Sequence, residues 1–156
     1  CLKASKSRDL YTCVDTSGYV DRKKLETAAP QTDLFLFDLK HIDNKAHIRY
    51  TGVSNKIILD NLRWLDETGQ AIHIRYPLIP GINDDEADLL RMMAFLSTMK
   101  RKHPVDILPY HKIGSHKYKR FGIAYKMDGV EEPTKEQIEE VRINFAKAGF
   151  VVRIGG

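Results

Sequence analysis

Residues 33–40 read DLFLFDLK, Asp33 to Lys40, and this run decides the fold. Five of its first seven residues are Leu or Phe, a density that suits a strand buried on both faces. A strand alternates sides, so Leu34, Leu36, Asp38 and Lys40 share one face. Two opposite charges then stand at the carboxyl end of a buried strand, on one side. In sheets and barrels fed by helices, ligands bind at that end. Burying charge there is costly unless something pairs with it, so the strand tip marks a candidate site.

Outward from this strand, strand-like and helix-like segments alternate. Tyr11–Asp15 reads as a short strand, followed by the loop DTSGY and a helix over Asp21–Ala28. After Asp33–Leu39 come a short helix, Asn44–Tyr50, and a stronger one, Asn55–Thr68, with Ile58, Leu62 and Leu65 on one face. Ile72–Pro77 is the next strand. In PLIPGIND, Asn83 is placed to cap a helix over Asp84–Lys102, acidic at its start and basic at its end. Val105–Pro109 is a fourth strand. Thr134 and Gln137 form a capping box before a helix over Lys135–Ala148, and Phe150–Ile154 is the last strand. Helices between strands predict parallel β/α units with right-handed crossovers.

Polar residues gather at the strand ends. Asp15 and Thr16 end the first strand, Asp38 and Lys40 the second, Arg75 lies near the end of the third, and His111 follows the fourth. Parallel neighbours would bring these six side chains to one rim. Each also has a plain structural reading. Asp15 and Thr16 suit a turn into Gly18, Asp38 and Lys40 an ion pair, and His111 a satisfied hydrogen bond. His41, His47, His73, His103 and His116 have no ligand spacing and read as surface or packing residues, with His73 sharing the Arg75 face. Cys13 reads as a small core residue.

The 156 residues suit one domain over 1–156. Hydrophobic content of 42% and charged content of 29% are ordinary for a globular protein. No apolar run approaches the roughly 20 residues a membrane helix needs, and no signal peptide is visible, so the expected compartment is the cytoplasm. The two cysteines, Cys1 and Cys13, read as free thiols, and no CxxC exists to hold zinc. The net charge of +4 permits an acidic partner. Residues 111–126, HKIGSHKYKRFGIAYK, mix basic and aromatic side chains. That mixture can bind single-stranded nucleic acid, but a loop folding over a site is the favoured reading.

The ordered set DTSGY, FDLKH, YTGVSN, IRYPLIPGIND and LPYHKIG resembles the glycyl-radical-enzyme activases of the radical S-adenosylmethionine (SAM) superfamily, with the pyruvate formate-lyase activating enzymes nearest. The resemblance implies a partial (β/α) TIM-like barrel. It implies a 4Fe–4S cluster on three cysteines that binds and splits SAM. The 5′-deoxyadenosyl radical then takes a hydrogen from a glycine of a partner enzyme, with flavodoxin or ferredoxin as electron donor. Asp15, Thr16 and Asp38 match positions that hold a monovalent cation beside the SAM carboxylate. Lys40 matches the lysine beside them, His111 a histidine contacting SAM, and Arg75 an arginine on the rim.

The family's CxxxCxxC and GGE motifs are absent from this sequence. The expectation is a carboxyl-terminal portion, truncated on the amino-terminal side of its barrel and inactive alone. Its first strand would be an open edge covered by another copy or a flexible segment. The alternative is a non-catalytic binding module of the same fold, docking a protein or nucleotide.

Overall fold

The computed structural model describes residues 1–112 and 129–155. The basic, aromatic segment from position 113 onward, His116 included, lies outside the described residues. Five parallel strands form one sheet in sequential order, β1 to β5. They are β1 (Cys13–Thr16), β2 (Leu34–Asp38), β3 (Ile72–Leu78), β4 (Val105–Pro109) and β5 (Val152–Ile154). The helices are α1 (Leu2–Lys6), α2 (Arg22–Ala28), α3 (Asn44–Thr51), α4 (Lys56–Glu67), α5 (Glu86–Ser97) and α6 (Lys135–Lys147). Strictly sequential parallel pairing is the progression of a (β/α) barrel, left open here among the described residues.

Aspartate or threonine starts four of the helices. Asp21, Asp43, Asp85 and Thr134 accept from the amides of Lys23, Ala46, Asp88 and Gln137, and Gln137 completes the predicted box. Asn83 does not cap α5, contrary to expectation. Its buried carboxamide is committed elsewhere, and Asp85 takes the role. Helix α5 also stops at Ser97 rather than Lys102. Beyond it, the Lys100 amide donates to Asp66 at 2.6 Å, and Arg101 and Lys102 donate to carbonyls of residues 66, 69, 70 and 148. The basic run thus serves other chain ends, not its own helix. Helix α1 carries no capping side chain and has no clear sequence signal. It is tied down by Lys6, which pairs with Asp33.

One face of the sheet is apolar. Phe35, Phe37, Ile72, Ile74, Tyr76, Val105 and Ile107 are nearly inaccessible and join Leu25, Leu62, Leu65, Met92 and Phe145 of the helices in one core. Each such side chain contributes about 1.5–3 kcal/mol by burial. The expectation that β2 is buried on both faces fails. Phe35 and Phe37 are buried, but Leu34, Leu36 and Asp38 are half-exposed, because the second face carries the charges. Cys13 is likewise exposed rather than in the core, since β1 is an edge strand among the described residues.

Candidate functional site

The polar face is ordered by register. Asp38 of β2 stands beside Arg75 of β3, Arg75 beside Asp106 of β4, and Asp106 beside Arg153 of β5. Acid and base therefore alternate across four strands. Arg75 pairs with Asp15 and lies 3.6 Å from Asp38 Oδ1, while Lys40 Nζ donates to Asp38 Oδ2 at 3.2 Å. The side chains of Arg75 and Asp38 are only 22% and 26% exposed, so the charges are screened less than on an open surface.

The structure thus brings Asp15, Asp38, Lys40 and Arg75 together. Thr16 lies beside them, but its hydroxyl accepts from the Gly18 amide at 3.0 Å, the predicted turn. His111 does not join the group. It is 61% exposed, with Nδ1 3.8 Å from Glu132. Of the other histidines, His41, His47 and His103 are buried packing residues as expected.

Three buried asparagines set the loops at the carboxyl ends of the strands. Asn61, on α4, donates to the carbonyls of Gly18 and Val20 at 2.9 and 2.8 Å and accepts from Arg22. Asn55 donates to His41 and Ile42 at 3.0 and 2.7 Å. Asn83 donates to Lys40 and Pro77 at 3.2 and 2.6 Å, and accepts from the Ile79 amide. It therefore couples the ends of β2 and β3, the strands carrying Lys40 and Arg75. Gly18 presses the first loop onto β2: its φ is +71°, and a Cβ there would lie 2.2 Å from the Phe37 ring.

Sequence reading missed Asn55 and Asn61 as clamps and gave Asn83 the role of a cap, because asparagine signals caps and turns more strongly than clamps. It also missed Asp106, which is 4% exposed and accepts from His73 at 3.2 Å. Only the register reveals its place in the row. Asp38 Oδ1, Arg75 Nε and Asp106 Oδ1 are buried without a hydrogen-bond partner. Arg75 Nε and Asp38 Oδ1 face each other at 3.6 Å, an ion pair just too long for a hydrogen bond, and Asp106 Oδ1 is left as a buried acceptor beside Arg75.

The radical SAM superfamily model matches residues 1–93. The chain belongs to the radical SAM superfamily. It is 39% identical over 157 residues to the trans-4-hydroxy-L-proline dehydratase activating enzyme of Clostridioides difficile, covering 99% of this chain and 52% of that protein. It is 40% identical over 145 residues to the pyruvate formate-lyase-activating enzyme of Staphylococcus epidermidis, covering 89% and 58%. This radical SAM chain spans about half the length of these curated relatives. A domain of the pyruvate-formate lyase-activating enzyme from Bacteroides vulgatus superimposes with a TM-score of 0.82 at 28% identity, covering 99% of this chain and 87% of that one. The partial-barrel expectation agrees with that likeness. No described helix is long and apolar enough to cross a membrane.

Proposed function

We propose that this chain forms the carboxyl-terminal strands of the barrel of a SAM-dependent activating enzyme that generates a glycyl radical on a partner enzyme, pyruvate formate-lyase-like in class. The observation that carries the reading is the cluster of Asp15, Asp38 and Lys40, at the carboxyl ends of β1 and β2, with Arg75, which stands mid-way along β3 rather than near its end. Relatives named as activating enzymes of two different partners support the same class.

The residues fit the amino-acid end of SAM. Lys40 and Arg75 supply positive charge for its carboxylate, and the exposed Asp15 carboxylate supplies an acceptor for its amino group. SAM bound there would supply hydrogen-atom abstraction only when one electron from a 4Fe–4S cluster cleaves its sulfonium bond, chemistry that belongs to the cofactors. Asp15, Thr16 and Asp38 offer oxygen ligands for a monovalent cation. Arg75 already bridges the two carboxylates, so cation and guanidinium compete for one place between them. His111, 61% exposed and beside Glu132 after β4, is not among the residues that the geometry gathers for the ligand. The two cysteines do not fit a 4Fe–4S cluster, which needs three thiolates in one motif. This chain alone is therefore assigned no radical step.

Calorimetric titration of SAM, with and without potassium, tests the reading. Binding should weaken at least tenfold in Arg75→Met and Asp38→Asn. Equal affinity in both variants would remove the site assignment. Reconstitution with iron and sulfide tests the rest: 5′-deoxyadenosine released by this chain alone would overturn the view that it needs a cluster from elsewhere.

A further inference from the structure

His73 and Asp106 lie on the polar face but are not used by the reading above. His73 shares β3 and its face with Arg75, two residues away, or about 7 Å along the strand toward its amino end. Asp106 stands beside Arg75 in register. Its Oδ2 lies 3.2 Å from His73 Nδ1. A carboxylate only accepts, so Nδ1 carries the proton, and in the neutral ring Nε2 is left as an acceptor. Among the described residues Nε2 has no hydrogen-bond partner, and the side chain is 21% exposed. The other carboxylate oxygen of Asp106 is buried and also unpartnered.

A buried aspartate that fixes one imidazole nitrogen presents the other in a defined direction. His73 Nε2 is thus the one group of the pair that reaches the polar face, its ring held in direction by the buried Asp106. We propose that His73 is a ligand-contacting residue, its Nε2 accepting a hydrogen bond from an N–H or O–H group of the bound ligand, and that the buried Asp106 is its positioning residue. This rests on the SAM-site reading and extends that site toward the amino ends of β3 and β4. The donor has two possible sources with the same chemistry, hydroxyl or amine groups of SAM and backbone amides of a substrate peptide.

The test uses the full chain with ¹⁵N-labelled histidine and arginine. Long-range proton–nitrogen spectra should give His73 as the Nδ1–H form, and Asp106→Asn should abolish that preference. SAM is added in one arm and the blocked pentapeptide Ala-Ala-Gly-Ala-Ala in the other. A shift of His73 Nε2 in either arm supports the proposal and names the source. The affinity for that probe should drop about tenfold in His73→Leu and recover in His73→Gln, which keeps an acceptor. A response of the Arg75 side-chain resonance with silence at His73 overturns this proposal and leaves the SAM site standing. Silence at both overturns the two together. An Nε2–H form in the wild type also overturns it.

Discussion

Replacing Asn61 by alanine should loosen the loop that follows Asp15 and Thr16. Asn61 is fully buried and bonds to two carbonyls and one guanidinium. Val20 loses its carboxamide partner, a cost of about 1–3 kcal/mol for a buried acceptor. Gly18 keeps the bond from the Val20 amide at 2.9 Å, so the loss there is about 1 kcal/mol. Arg22 retains the Asp60 carbonyl and reaches solvent, which makes its share small. The sum is about 3 kcal/mol. With a urea slope near 2 kcal/mol per molar, the midpoint should fall by roughly 1–2 M. Trp64, the single tryptophan, lies on the same helix with the Arg22 guanidinium 5.1 Å from its ring centre, so its fluorescence reports the transition. Asn61→Asp should be worse at neutral pH, because a carboxylate cannot donate to the two carbonyls. The gap should close as acid protonates it. A midpoint lowered by less than about 0.3 M in Asn61→Ala would refute the clamp.

Gly18→Ala should cost about 2–4 kcal/mol in the same urea assay, combining a left-handed backbone with a clash against the buried Phe37 ring. An unchanged midpoint would mean that loop and ring move apart freely. Burial holds the His103 imidazole below its ordinary value of 6.5, with Asp66 opposing. The fold therefore favours neutral His103, and its contribution is complete above that value and declines as pH falls below it. His103→Gln should flatten the urea midpoint over that range, and an unaltered slope would count against the assignment. The Lys6 hydrogen bond, with those from Thr12, lowers the Asp33 carboxyl from 3.8 to about 2. Its contribution is present above 3.8 and is lost as pH falls toward 2, so Asp33→Asn should be insensitive to pH across that interval.

The strand order was legible because each strand is a compact apolar run separated by a helix-period segment. The capping box at Thr134 was legible for a similar reason, since it is written in local sequence. So was the meeting of Asp15, Asp38, Lys40 and Arg75, since alternation fixes their face and parallel pairing fixes their level. Asp106 was hidden inside VDILP, where one acid in an apolar strand has no meaning until its neighbours are known. Asn55, Asn61 and Asn83 were hidden differently. Three of their six carbonyl contacts span about forty residues, and no local pattern encodes such a bond. The end of α5 was misjudged because Lys100 to Lys102 resemble a charged helix terminus, while their partners lie on other elements.

Helix α4 reaches both ends of the sheet through its polar side chains. Asn55 precedes its first turn and holds the loop after β2, Asn61 in its middle holds the loop after β1, and Asp66 in its last turn holds Lys100 and His103 beneath β4. A local opening of this one helix would release the loops at the carboxyl ends of the strands and the turn before β4 in a single event. Substitutions at Asp66 should therefore change the fraction of time the carboxyl-end loops stay assembled.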